Sequence, residues 1–182
     1  MECVSAVWKL VILIGRAMIE VNTTTYLKNY EASPFRIKSV HLTFRLNPTN
    51  TIVIAKILFS PKKLNCNLEL DGMDLNLQKV QINGLDIDLN LLSIEHHVLT
   101  VPNDLLPKDD FYWQAETIIS PQTNTSLDGL YLSSGIYCTQ CEAQGFRKIT
   151  YFLDRPDIMS TYTVRIEGQE PVLLSNGNQI SI

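Results

Sequence analysis

Apolar and polar residues alternate along much of this chain with a period of two. The stretch SVHLTFRL places Val40, Leu42, Phe44 and Leu46 on one face and polar side chains on the other. This is the period of a β-strand with one buried face, whereas a helix repeats its apolar residues every three or four positions. The turn residues Asn47–Asn50 come next and the β-branched stretch TIVIAKILFS follows them. Together they predict a long β-hairpin.

The alternation continues through the rest of the chain and is broken at short turn signals. Asn83-Gly84 lies between two alternating stretches and predicts a hairpin with a type I′ turn, while Asp71-Gly72 and Asp128-Gly129 are two further turn candidates. The other predicted strands are FYWQAETIIS, GLYLSS, RKITYFL, TYTVRIEG and PVLLSNGN, with Asp154–Met159 as a loop or a short turn of helix. Many short strands at close spacing predict an all-β fold, either an antiparallel sandwich or an open, curved sheet.

Composition narrows the class of protein. The chain has 182 residues, of which 45% are apolar and 19% charged, as in an ordinary globular domain. Its net charge of -4 and the lack of any basic run give no reason to expect nucleic-acid binding. The four cysteines, Cys3, Cys66, Cys138 and Cys141, are too few for a disulfide-stapled secreted module. We therefore expect a reducing, cytoplasmic location.

The N-terminus differs from the rest. Its apolar stretch AVWKLVILIG is interrupted by Lys9 and is too short to cross a bilayer. A signal peptide has positive charge before the apolar run, whereas here Glu2 precedes it and Arg16 follows it. We predict no clear membrane span and interpret residues 1–22 as an extension that precedes the domain.

A pair of cysteines three apart, Cys138-Thr-Gln-Cys141, is the most conspicuous candidate site. A structural zinc site needs four ligands, and no other cysteine stands at ligand spacing. His96 and His97 are adjacent on a predicted strand, so their rings would point to opposite faces and could not share a metal. A thioredoxin-type redox pair begins a helix, and no helix is predicted after Cys141. Two cysteines packed around a strand end are the default, with metal and redox sites as alternatives.

No complete active site is visible in the residues. The sequence contains no H-E-x-x-H, no G-x-S-x-G, no P-loop and no G-x-G-x-x-G. The stretch GLYLSSGIYCTQCEAQGFRKITYFLDRPDIMSTYTVRIEG, followed by PVLLSNGN, is nevertheless far more specific than any of these short patterns. It resembles the N-terminal domain of aminopeptidase N, of the gluzincin zinc aminopeptidases, in the bacterial and plastid type. The likeness covers roughly Thr25 to Asn178, and we assign residues 23–182 to this domain, without its last strands.

The resemblance implies a fold, a site and partners. The family's domain is a saddle-shaped antiparallel β-sandwich laid over a catalytic domain, which we expect here in the same or a separate chain. Its C-T-Q-C-E loop reaches into the active-site cavity. By position, Glu142 would bind the free α-ammonium group of a peptide N-terminus and Gln140 would line the pocket for the first side chain. A carboxylate suits a cationic chain end, because the hydrogen bond between them is charge-assisted. The cysteines would then be framework.

Two departures from the family pattern set the alternatives. The second acid of the family's C-E-A-E-G is Gln144 here, and the family's G-A-M-E-N and H-E-x-x-H are absent. The zinc of the full-length family enzymes therefore has no ligands in this chain, and we expect a fragment that binds no zinc and is inactive alone. The alternative is a non-catalytic β-sandwich, either a remnant or a partner-binding module. We further expect Ile149–Leu153 to be exposed and to promote self-association.

Overall fold

The computed structural model describes residues 26–181 of the 182-residue chain. The extension predicted over residues 1–22 lies outside the described residues, and that prediction stays untested. Contacts divide the chain into two units, Met1–Ala32 and Ser33–Ile182. The described part of the first unit contains a single 3-10 turn, Leu27–Asn29. The second unit contains all the described strands.

Strands dominate the described residues, and no α-helix occurs among them. The strands are β1 (Phe35–Arg45), β2 (Thr51–Pro61), β3 (Leu68–Asp71), β4 (Asn76–Ile82), β5 (Leu85–Asp86), β6 (Ser93–Glu95), β7 (Val98–Val101), β8 (Phe111–Ile119), β9 (Gly129–Ser133), β10 (Ile136–Gln140) and β11 (Thr161–Glu167). The all-β fold predicted from the sequence is confirmed. In the part of the chain described here, no helix is long and apolar enough to cross a membrane.

Six strands form the main sheet, in the order β11-β1-β2-β8-β4-β5. The predicted hairpin of β1 and β2 is present, with Val40 opposite Ile57 and Leu42 opposite Ala55. Alternate residues of β1, β2 and β8 are buried, as the period of two requires. Neighbouring strands are antiparallel except for β11, which runs parallel to β1. The main sheet is thus antiparallel apart from the single parallel pair at this edge.

A second, three-stranded sheet has the order β3-β7-β6, and β9 pairs with β10 alone. Leu70 and Leu99 of the three-stranded sheet are fully buried in the same apolar cluster as the main sheet, which gives the layers of a sandwich. Within the cluster the rings of Phe59 and Phe111 stack with centroids 5.6 Å apart, and Phe35 stands edge-on to both. Each such buried side chain contributes about 1.5–3 kcal/mol, so this cluster is the main source of the domain's stability.

Three two-residue turns with positive φ at both residues join neighbouring strands. Asn83-Gly84 joins β4 to β5 with positive φ at both residues (50° and 81°), as the type I′ prediction requires. Ser134-Gly135 joins β9 to β10 in the same way, so the predicted strand GLYLSS ends one residue early, at Ser133. His96-His97 forms the turn between β6 and β7, with φ of 49° and 66°. The prediction that these histidines lie on a strand is wrong.

The segment Ile149–Leu153 contradicts two expectations at once. It is not a strand: a 3-10 turn, Phe146–Lys148, leads into it, and its only β-contact is a single bridge between Phe152 and Asp71. All five of its residues are buried rather than exposed. The segment lies against the core of its own domain, so it does not offer a free apolar surface.

The apolar surface lies instead near the C-terminal end of the described chain. PVLLSNGN, predicted as a strand, forms none, and Val172 and Leu174 are largely exposed. On β11, Tyr162 and Val164 pair in register with Val40 and Leu42, so they share the core face of the sheet. Yet Tyr162 is 49% and Val164 37% exposed, although the centroid of the Tyr162 ring lies 6.2 Å from that of Phe146 and 6.4 Å from that of Phe152. Among the described strands, β11 has a neighbour on one side only.

We expect the 182-residue chain to self-associate through this β11 edge, since unpaired edge strands with apolar side chains pair with other chains. Val164→Lys should shift the chain toward monomer, because a charge on an edge strand opposes pairing. Sedimentation velocity over a range of concentrations measures the change. Gln78→Lys adds the same charge at an exposed position of β4 and should have no effect. A wild-type chain that stays monomeric at high concentration would contradict the expectation.

Candidate functional site

The hairpin of β9 and β10 carries the residues that the resemblance singles out. Gln140 is the last residue of β10 and pairs with Gly129, the first residue of β9. Glu142 lies two residues beyond the strand, in a turn that spans residues 142–145. The hairpin therefore fixes one end of the turn and delivers both predicted site residues to the same end of the small sheet.

The turn is closed by short local contacts. The Gly145 N–H donates to the carbonyl of Cys141 at 3.0 Å, and the side-chain amide of Gln140 donates to the carbonyl of Glu142 at 3.3 Å. The peptide bond between Glu142 and Ala143 is cis. A side chain at Gly145 would place its Cβ 2.5 Å from the carbonyl oxygen of Gln140 and 2.8 Å from the Cα of Cys141, both backbone atoms. Only glycine allows the chain to return so closely on itself.

Gln140 and Glu142 are both exposed, and the structure brings them together on this turn. No described residue donates a hydrogen bond to the Glu142 carboxylate or forms an ion pair with it. The carboxylate is thus free in this domain to accept hydrogen bonds from a ligand. A carboxylate in water accepts several donors, and a cationic donor strengthens each bond.

Cys141 has the surroundings of a partly buried, unreactive thiol. Cys66, Cys138 and Cys141 are all free thiols. Burial, together with the nearby carboxylates of Asp154 and Asp128, raises the pKa of Cys141 from its ordinary 9.0 to about 11. Redox and metal-binding thiols need the opposite shift, because the thiolate is the reactive form. Among the described residues, no group of three or more histidine, cysteine and acidic side chains could hold a metal ion.

This shift predicts slow alkylation of Cys141 in the folded chain. At pH 8 a thiol of pKa 9 is roughly 10% thiolate and one of pKa about 11 roughly 0.1%, so Cys141 should react with iodoacetamide about 100-fold more slowly when folded than when unfolded. Peptide-resolved mass spectrometry over time measures both rates, with the chain in denaturant as the control. Faster alkylation of Cys141 in the folded chain would restore the redox interpretation.

The raised pKa of Cys141 also determines how the stability of the folded chain changes with pH. In the folded chain Cys141 holds its proton to higher pH than in the unfolded chain. Its contribution is therefore fully present below about pH 9 and is lost as the pH rises toward about 11. Burial raises the pKa of Tyr151 as well, which adds loss of stability in the alkaline range.

An ion cluster next to the turn was not anticipated from the sequence. Arg147 Nε lies 2.8 Å from Asp154 Oδ2, and Arg147 Nη1 lies 3.8 Å from Asp71 Oδ1. We call Asp71, Arg147 and Asp154 the Arg147 cluster. Asp154 belongs to the predicted loop Asp154–Met159, which is confirmed as a loop, but nothing in the local pattern marked a partner 83 residues away in Asp71.

The sequence matches a known protein family over most of its length. Residues 28–182 match the family model described as the peptidase M1 N-terminal domain. The chain belongs to this family. The resemblance to the N-terminal domain of aminopeptidase N is thereby confirmed, and so is the β-sandwich predicted with it.

The individual proteins that this chain resembles are aminopeptidases or metallopeptidases, in agreement with the family match. The aminopeptidase N of Caulobacter vibrioides is 42% identical over 160 residues, which is 85% of this chain and 18% of that protein. The crystal structure of Legionella pneumophila aminopeptidase A in complex with aspartic acid has a TM-score of 0.76 at 30% identity, over 86% of this chain and 19% of that one. An M1 zinc metallopeptidase from Deinococcus radiodurans shares the fold, with a TM-score of 0.62 at 15% identity over 74% of this chain and 32% of that one. The chain spans about a fifth of the length of the first two relatives.

Proposed function

We propose that this chain is the part of a zinc aminopeptidase that recognises the free amino group of a peptide, with Glu142 as the amine-binding acid. The observation that carries the proposal is the Glu142 carboxylate, exposed and without a partner among the described residues, on a turn anchored by β10 and closed at Gly145. The relatives at about 40% identity are aminopeptidases, which must distinguish a chain end from internal peptide bonds.

The chemistry of the substrate explains the choice of residue. An α-ammonium group carries three donors and a positive charge, and a carboxylate satisfies both needs. When a catalytic domain covers the turn and excludes water, an unpaired carboxylate becomes costly, and the arriving ammonium group removes that cost. Binding is therefore selective for substrates with a free N-terminus. Gln140, two residues away, offers amide groups to the first side chain and has no charge to compete for the amine.

Zinc belongs to the rest of the proposed enzyme. The Deinococcus protein is described as a zinc metallopeptidase, but the described residues of this chain hold no cluster that fits a metal, and H-E-x-x-H is absent from its sequence. A catalytic domain, joined to this chain or separate, would supply the metal and the activated water. The contribution of this chain is to bind and orient the peptide N-terminus.

We expect the isolated 182-residue chain to bind no stoichiometric zinc and to leave aminoacyl anilides intact. Elemental analysis after dialysis against dilute zinc, with a chromogenic assay on the same sample, measures both. The positive control is a full-length aminopeptidase N from a relative. About one tightly held zinc per chain would overturn the assignment of the metal site to another domain.

The function is tested by joining the chain to a catalytic domain of its family and measuring hydrolysis. The joined protein should release N-terminal residues from peptides with a free amine and should leave N-acetylated peptides uncut. The alternative, a non-catalytic partner-binding module, is favoured by the exposed apolar face of β11. It would be supported if the chain bound a family catalytic domain without contributing to amine selectivity.

A further inference from the structure

Arg147 connects the turn that carries Glu142 to a separate sheet. Its guanidinium contacts Asp154 twice: Nε lies 2.8 Å from Oδ2, and Nη2 donates to the backbone carbonyl at 3.1 Å. The backbone N–H of Arg147 donates to the same Oδ2 at 3.2 Å. Asp154 therefore accepts from the backbone and the side chain of Arg147 together, which fixes the residues between them as a closed loop.

The closed loop is attached to β3 at several points. Asp71, the last residue of β3, exchanges two backbone hydrogen bonds with Phe152 at 2.7 Å and 3.0 Å. Its side chain accepts from the Asp154 N–H at 3.1 Å, and the Met73 N–H donates to the carbonyl of Arg147 at 2.8 Å. Arg147, two positions after the turn that ends at residue 145, is thus tied by its side chain to the end of β3 and by its backbone to the residues that follow β3.

Burial makes these contacts strong. The Asp154 side chain is 9% and the Arg147 side chain 20% exposed, so water screens their attraction little. A single guanidinium faces two carboxylates, which repel each other once it is removed. The planar fork of arginine holds two acceptors in fixed directions, which the point charge of lysine does not.

We propose that Arg147 is a positioning residue for Glu142, acting through Asp154 and Asp71. The turn between residues 141 and 146 has no regular secondary structure and two fixed ends: the pairing of β10 with β9, and the Arg147 cluster. With the second end held to β3, the backbone of the turn is fixed on both sides, and so is the point from which the exposed Glu142 side chain projects. This inference rests on the proposed role of Glu142, although its structural half can be tested without it.

The first experiment measures the order of the turn in the 182-residue chain. Arg147→Met keeps the length of the side chain and removes the charge, and Arg147→Lys keeps the charge and removes the fork. In Arg147→Met we expect amide hydrogen exchange at residues 141–146 and alkylation of Cys141 to rise at least tenfold, with amides of β2 and β8 unchanged. Arg147→Lys should fall between Arg147→Met and wild type. The control Arg165→Met removes an exposed arginine from β11 and should change neither.

A milder variant keeps the test valid if Arg147→Met unfolds the chain. Asp71→Asn removes one charge from the more exposed end of the cluster and leaves the 2.8 Å pair in place, so it should loosen the turn and spare the core. Exchange at residues 141–146 that is unchanged in Asp71→Asn and Arg147→Lys overturns the proposal. So does exchange that rises equally in the turn and in β2 and β8, because the cluster would then be an ordinary contributor to global stability.

The second experiment joins the variants to a family catalytic domain. Arg147→Lys should raise KM for peptides with a free amine at least tenfold and change kcat less, and it should reduce the preference for a free amine over a des-amino inhibitor. A turn that loosens in the first experiment without any loss of amine selectivity refutes the role of Glu142 and leaves the positioning of the turn established. A turn that stays ordered refutes the positioning, whatever the kinetics show.

Discussion

Glu142→Gln in this chain, joined to a catalytic domain of its family, is expected to lower kcat/KM by 10- to 100-fold for peptides with a free amino terminus. Glutamine keeps the shape of the side chain and removes the charge, so the ammonium group of the substrate loses its ion pair. A hydrogen bond to a charged group contributes about 1.5–3 kcal/mol, and the loss converts to a rate through the transition-state relation. Steady-state kinetics with aminoacyl anilides give the value directly.

Three control variants distinguish the loss of the charge at residue 142 from a loss of folding. Gln144→Glu adds an acid two residues away, at the position where the family pattern has one, and should not lower kcat/KM. Cys138→Ser and Cys141→Ser should act through stability, so the folded fraction keeps most of its activity. If Glu142→Gln retained full kcat/KM while a cysteine variant abolished turnover without unfolding, Cys138-Thr-Gln-Cys141 would be the working site and the role given to Glu142 would be wrong.

The strands that could be predicted are those whose environment repeats along the chain. β1 and β2 bury alternate residues on one sheet face, so their period appears in the sequence. Asn83-Gly84 could be predicted because positive φ at two successive residues selects a narrow set of side chains. His96-His97 occupies the same kind of turn, but histidine marks such a turn far less specifically than Asn-Gly does, so the local sequence does not predict it.

Ile149–Leu153 shows what periodicity cannot decide. Apolar or small residues occupy both its odd-numbered and its even-numbered positions, and the structure buries all of them. Continuous burial fits an irregular segment enclosed on several sides as well as it fits an inner strand, because both remove every side chain from water. Its β-contact with the described strands is limited to the bridge between Phe152 and Asp71, at the end of β3.

The candidate site also has one part that could be predicted from the sequence and one part that could not. Glu142 and Gln140 were found through a long resemblance, since an exposed acid on a turn has no local mark of function. The Arg147 cluster was missed because its members are brought together only by the fold. Residues that are far apart in the sequence produce no periodic pattern. Without its partners, an arginine next to a loop looks like an ordinary surface charge.

Gly72→Ala is expected to destabilise the domain by about 1–3 kcal/mol, the usual cost of overpacking a core. A Cβ at Gly72 would lie 2.2 Å and 2.3 Å from two ring carbons of Tyr151. The ring cannot move aside, because Tyr151 is 2% exposed and the bridge between Asp71 and Phe152 holds the backbone on both sides. Urea unfolding followed by tryptophan fluorescence measures the change, since Trp113 is fully buried.

A double-mutant cycle identifies the cause of that loss. In a Tyr151→Ala background the space above Gly72 is empty, so Gly72→Ala should be nearly neutral or slightly stabilising, because alanine restricts the unfolded chain. The sequence alone suggested that Gly72 serves a turn, in which case the cost would arise from the backbone. An equal loss with and without the Tyr151 ring would support the turn, whereas a coupling of about 1–3 kcal/mol would show that the glycine is needed to seat the ring.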